Sequence, residues 1–223
     1  MYDDDDLQKL YNEEYFLERK KPPLWKRRAE FIVDKFNPTK SLDIGSSWGN
    51  LVEYLVDNKV DAYGIEGSDY AISQVPNKIK NRIFKVNFNS DKFPFDDNTF
   101  DLITGFYVVE HVHNIDFFCD EVFRTLKPNG AIWFLTPNEG MEGRNEFDVF
   151  SNKFEEWKKI FEKHNFIVEK FSPHEMMVLK GKLKKFRFYK FPKPLQNIIK
   201  KMAYDFSNST SMKDSSMILK KKN

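Results

Sequence analysis

A chain of 223 residues, 40% hydrophobic and 31% charged, is long enough to bury a core of its own and too apolar to be a disordered tail. Its net charge of +2 forces no nucleic-acid reading, no stretch approaches 18 uncharged apolar residues, and the acidic run Asp3–Asp6 stands where a secretory leader would be basic and then apolar. The single cysteine, Cys119, excludes an internal disulfide and a cysteine-rich zinc site, so the expectation is one cytoplasmic domain over 1–223 with no metal.

Residues 1–40 read as a helical lead-in. Tyr11, Tyr15 and Phe16, then Trp25, Ala29, Ile32, Val33 and Phe36, recur at helical spacing, broken by Pro22-Pro23 and stopped at Asn37-Pro38. Strand and helix patterns then alternate. Strands are expected at Ser41–Ile44, Ala62–Ile65, Ile83–Val86, Leu102–Thr104, Ala131–Leu135, Phe166–Phe171 and Ser216–Leu219. Helices are expected at Leu51–Val56, Tyr70–Val75 and Ile115–Leu126, with another opened by an Asn152/Glu155 capping box and running to about Lys163. Lys127-Pro128-Asn129-Gly130 reads as the turn closing the third of these, and 172–215 as an insertion before the last strand. This alternation predicts an α/β, doubly wound parallel sheet with helices on both faces, its crevice at the carboxyl ends of the strands.

The most informative segment is Leu42-Asp43-Ile44-Gly45-Ser46-Ser47-Trp48-Gly49-Asn50, a strand running through small residues into a helix. Gly45 and Gly49 allow positive φ and close approach of a ligand. Glu66 ends the next strand, 23 positions beyond Asp43, where a carboxylate can accept both hydroxyls of a ribose. Dinucleotide enzymes need glycine at the positions held here by Gly45, Ser47 and Asn50, so two of three are missing.

Asp43-x-Gly45-x-Ser47-x-Gly49 instead resembles the loop of class I S-adenosylmethionine-dependent methyltransferases. Phe93-Pro94-Phe95 with Asp96 to Asp101, Val109-Glu110-His111-Val112, Arg124 to Gly130 and Thr136-Pro137-Asn138 are similar to successive motifs of the ubiquinone-biosynthesis type of that family, in order over 41–138. The resemblance implies a Rossmann-like methyltransferase fold, α/β with a doubly wound, seven-stranded, mostly parallel sheet, and S-adenosyl-L-methionine as cofactor. By position it implies that Asp43, Gly45, Ser46, Ser47 and Gly49 line the methionine and ribose, and that Glu66 holds the ribose. It puts Gly67, Ser68, Asn87 and Phe88 at the adenine, and Gly105 and Phe106 before the sulfonium. Asn87 replaces a usual acidic residue, Ser47 replaces the middle glycine, and Trp48 either lies over the cofactor or packs on the lead-in. Tyr11, Tyr15 and Arg27 are candidates to close over the site, Arg27 as partner of a carboxylate.

Methyl transfer to oxygen profits from a general base, and His111, just past the fourth strand, is the candidate, with Glu110 to orient it. His113 is less favoured, and His164 and His174 read as surface residues. Between Glu175 and Asp205 nine basic residues, Lys180 to Lys201, interleave with aromatic ones and lead into an amphipathic pattern from Leu195 to Phe206. Segment 180–206 reads as a solvated face, a lid, or a contact for an anionic membrane surface; nucleic acid is disfavoured. The expected partner is a small-molecule, sugar or lipid acceptor, methylated on oxygen or nitrogen. Its rivals are an NAD-binding oxidoreductase and a non-catalytic binding module.

Overall fold

The structure, a computed structural model, describes residues 8–9, 11–17, 22–137, 153–171 and 214–222. The lead-in contains α1 (Glu13–Leu17) and α2 (Pro22–Phe36). The fixed φ of proline suits the first turn of α2, and the helix stops at Asn37, left-handed at φ 45° ahead of Pro38. Ala29, Phe31 and Ile32 are buried, while Lys26, Arg27 and Glu30 face solvent.

One sheet follows: β1 (Lys40–Ile44), β2 (Asp61–Glu66), β3 (Ile83–Lys85), β4 (Phe100–Phe106), β5 (Leu126–Pro137), β6 (Phe166–Lys170) and β7 (Asp214–Lys221). The order is β3-β2-β1-β4-β5-β7-β6; the first five strands pair in parallel, and β7 runs antiparallel to β5 and β6. The chain winds outward one way from β1 and the other way from β4, so these adjacent strands form the switch point. The fold is the α/β sheet that the alternating pattern predicts.

Period-2 alternation sends neighbouring side chains to opposite faces. Leu42, Ile44, Ile103 and Phe134 pack on one face with α5 (Ile115–Thr125) and α6 (Phe154–Lys163). Leu102, Trp133 and Ile218 pack on the other with α2 and α3 (Asn50–Asp57). A short α4 (Asp69–Ser73) and 3₁₀ turns at Asn77–Arg82 and Val109–His111 complete the connections.

Two expectations are corrected. Phe100 pairs with Leu126 and Leu102 with Ala131, so Lys127–Gly130 arches out within β5 rather than preceding it. At the start of α6 the carboxylate of Glu156, not Glu155, accepts from Lys153 N–H at 2.8 Å, because Glu156 stands three residues past the cap; Asn152 lies outside the described residues. Most of the expected insertion, 172–213, also lies outside them, as do Asn138, His174, Asp3–Asp6 and the segment 180–206.

Arg124 joins two of the sequence motifs in space. Its guanidinium donates to Phe93 O (3.0 Å), Phe95 O (2.7 Å), Asp97 (2.9 Å) and Glu121 (2.7 Å), pinning the connection between β3 and β4 to α5. Among the described residues no helix is long and apolar enough to cross a membrane.

Candidate functional site

The loop from β1 to α3 alternates in hand: Gly45 (φ 68°), Ser47 (φ 51°) and Gly49 (φ 75°) are left-handed. A Cβ on Gly45 would run into Val108, and one on Gly49 would lie 2.6 Å from Ile79 Cδ1. On the Cβ side of these glycines the space is filled by protein side chains. Their role is to set the bend and let Val108 and Ile79 pack against it. Ser47 takes the same hand without glycine, at a cost of about 1–2 kcal/mol. The Ser46 side chain points at β2, where a Cβ on Gly64 would lie 2.6 Å from its Oγ. That hydroxyl is buried with no hydrogen-bond partner, so the backbone of Ser46, rather than its side chain, belongs to the loop's surface. Trp48 is half-buried.

Glu66, 7% exposed at the end of β2, is tied to this bend. Its carboxylate accepts from Ser47 N–H (2.8 Å), Gly67 N–H (2.9 Å) and Ser68 N–H (3.0 Å). Burial raises its pKa, and the three N–H groups oppose the rise. An ionised carboxylate offers about four acceptor positions, so capacity remains for a sugar hydroxyl.

The lead-in is strapped across the same loop. Gln8 Nε2 donates to Gly67 O (2.9 Å) and its Oε1 accepts from Asp69 N–H (2.7 Å). Ser68 Oγ donates to Tyr11 O (2.6 Å) while capping α4 at Ala71 N–H (3.1 Å). The Tyr11 ring meets His111 at 6.0 Å and Tyr15 at 5.0 Å between centroids, so this one residue, through its carbonyl on Ser68 and its ring on His111, links the segments after β2 and β4.

The arginine expected at Arg27 is placed otherwise. Arg27 is exposed, whereas Arg28 is 3% exposed, its guanidinium 4.7 Å from the Trp25 ring and 4.4 Å from the Phe106 ring. The signal was in the sequence: Arg28 stands three residues after Trp25 and four before Ile32, on the apolar stripe itself. Phe106, expected before a sulfonium, thus carries a protein cation and packs on Trp133 at 4.8 Å. Gly105 is buried between β1 and β5, paired with Ile44 and Phe134, and a Cβ on it would run into the Phe134 ring. Asp43 accepts from Thr104 Oγ1 (2.7 Å); burial pushes its pKa up to about 7, against the Thr104 bond and the charge of Arg28.

After β3, Asn87 Oδ1 accepts from Asn89 N–H (3.1 Å), a local turn that engages the amide oxygen expected at the adenine, and Phe88 packs on the core. Asn89, not singled out from the sequence, is buried and binds the segment after β4: its Oδ1 accepts from His113 N–H (2.7 Å) and Asn114 N–H (3.0 Å). Glu110 is buried and His111 half-buried in the 3₁₀ turn. Burial lowers the pKa of His113. His164, expected on the surface, is half-buried at the end of α6, 2.8 Å from Asp116.

Residues 42–134 match the methyltransferase domain family. The chain is 32% identical over 105 residues to a ubiquinone biosynthesis O-methyltransferase of Pelagibacter ubique, covering 46% of this chain and 44% of that protein. It spans about half the length of the curated relatives it matches. Among solved structures it superposes on a SAM-dependent methyltransferase from Archaeoglobus fulgidus (TM-score 0.65, 16% identity, 94% of this chain and 100% of that one). It also superposes on the [4+2]-cyclase SpnF (TM-score 0.57, 16% identity, 89% and 82%). Over residues 42–134 the chain is thus similar to the methyltransferase domain family, and its fold is the one those structures share. Within that family its similarity lies with the ubiquinone-biosynthesis type.

Proposed function

We propose that this domain binds S-adenosyl-L-methionine at the loop after β1 and transfers its methyl group to an oxygen or nitrogen of a small molecule. The observation that carries the reading is the Glu66 carboxylate, fastened to Ser47 N–H of the left-handed bend with acceptor capacity to spare. A carboxylate locked to a Gly-type bend is suited to the two hydroxyls of an adenosyl ribose.

When bound, the cofactor supplies a methyl group on a good, neutral leaving group. The protein's own residues do the rest. The bend and Glu66 orient the ribose, the backbone of Gly67 and Ser68 borders the adenine, and the charge of Arg28 near Asp43 suits a carboxylate. The strap from Gln8 to Tyr15 excludes water, which strengthens the polar contacts beneath it. His111 takes the acceptor's proton at an imidazole nitrogen, and Glu110 fixes its orientation.

A small phenolic oxygen is the favoured acceptor, supported by the similarity to a quinone-pathway O-methyltransferase. Sugar and lipid acceptors, membrane contact through 180–206, a cytoplasmic location and a single domain over 1–223 belong to the same proposal. The likeness to a cyclase of this fold keeps a non-methylating reading as the specific alternative. Calorimetric titration with S-adenosylmethionine, S-adenosylhomocysteine and NAD tests it. Both sulfur compounds should bind and NAD should not; binding of NAD alone, or of none, overturns it. Bound cofactor without methyl loss to any phenol, amine or sugar would favour the cyclase-like alternative.

A further inference from the structure

Asn87 stands just past the end of β3, beside the loop that Glu66 fastens. Val86 N–H donates to Glu66 O at 3.0 Å, and Val86 O lies 3.5 Å from where a Cβ on Gly67 would stand. The chain then turns, with Ser90 N–H and Asp91 N–H both donating to Asn87 O, at 3.1 and 2.9 Å. The Asn87 side chain folds into that turn. Its Oδ1 accepts from Asn89 N–H (3.1 Å) and from Asn89 Nδ2 (3.4 Å). A backbone N–H can only donate, so chemistry fixes the orientation of the amide: the oxygen faces Asn89, and the other arm of the plane is Nδ2.

An amide oxygen has two lone pairs, and the two N–H groups of Asn89 engage both. What Asn87 offers beyond its turn is therefore an N–H. The carboxylate of the same turn, Asp91, is folded back as well, Oδ2 on Asn87 N–H (2.9 Å) and Oδ1 on Ser90 Oγ (2.9 Å). Gln8 Oε1, in the strap across Gly67, is engaged by Asp69 N–H.

The strand order puts β3 outside β2, away from the switch point between β1 and β4. With a ribose on Glu66 and the sulfur toward the switch point, the base leaves the opposite end of the sugar, toward Asn87. The 6-amino group of adenine donates, whereas a 6-oxo group on a purine accepts. An N–H facing another N–H leaves both without a partner, and an N–H facing a carbonyl oxygen pairs with it.

We propose that Asn87 sets the base specificity of the cofactor site: presenting an N–H where a 6-aminopurine needs an acceptor, it admits 6-oxopurine nucleosides as readily as 6-aminopurine ones. This rests on the methyltransferase reading, which puts the ribose on Glu66. Specificity is a difference of affinities, and an amino group that Asn87 does not read gives adenine no advantage.

The test is calorimetric titration of the full chain with S-adenosylhomocysteine and with S-inosylhomocysteine, which carries oxygen in place of the 6-amino group. The parent should bind the inosyl compound within about threefold of the adenosyl one, or more tightly. Asn87→Asp keeps the turn, because a carboxylate oxygen also accepts from Asn89 N–H, and it puts a second oxygen where Nδ2 stood. It should shift the ratio of the two affinities toward the adenosyl compound by about tenfold. A parent that favours S-adenosylhomocysteine by more than about threefold overturns the proposal, and so does a ratio that Asn87→Asp moves by less than about threefold. In both cases the methyltransferase reading stands. A parent that takes up neither compound removes both.

Discussion

Asp43 carries the most unusual charge state of the site. A buried carboxyl with a pKa pushed up to about 7, against an ordinary 3.8, holds its proton in the folded chain where the unfolded chain has lost it. The stability this proton confers is fully present below the unfolded value and is lost as pH rises through the folded one. Stability should therefore fall between about pH 4 and pH 7, and Asp43→Asn, which keeps a neutral side chain, should flatten that slope in urea melts. An unchanged slope would mean that Asp43 is ionised throughout. His111 makes a kinetic prediction at the same scale. His111→Ala should lower turnover by about a hundredfold or more while leaving cofactor affinity within about twofold. Equal turnover would take the imidazole out of the proton transfer.

Among the elements, the strap over the β2–α4 loop has the clearest consequence. Gln8 makes two hydrogen bonds to that loop, and Ser68 makes one to Tyr11. Each net bond is worth about 1 kcal/mol, and the strap covers residues expected to border the adenine. Gln8→Ala should thus speed release of S-adenosylhomocysteine about fivefold or more in stopped flow and lower the melting temperature by about 4–8 °C. Unaltered release would mean that the strap covers the loop without gating it. The sequence named Tyr11 and Tyr15 as residues that close over the site but not Gln8, because an amide in a polar stretch has no periodic signature. The β1–α3 bend was legible because positive φ demands small residues at fixed spacing, and Gly45, Ser47 and Gly49 all take it.

At the scale of the whole molecule, a cofactor that binds only the folded domain must stabilise it. At about 100 times its dissociation constant, S-adenosylmethionine should add about 2.7 kcal/mol, a rise of about 5–10 °C in melting temperature, and NAD should add none. A melting curve unmoved by S-adenosylmethionine would contradict the proposed function.

What the sequence determined by itself was the kind of order that repeats along the chain. Strand and helix periods, the glycine-like bend, and the acid ending the second strand follow from local sterics and hydrophobic spacing, so the seven-stranded sheet and the place of Glu66 were readable. Only the tertiary structure decided which groups face one another. It set the buried Arg28 guanidinium over the Phe106 ring, filled the glycine spaces with Val108 and Ile79, and bound Asn89 to the segment after β4. The reason is physical: a side chain's partner depends on strands and helices brought together from distant parts of the chain, and no local period encodes that meeting.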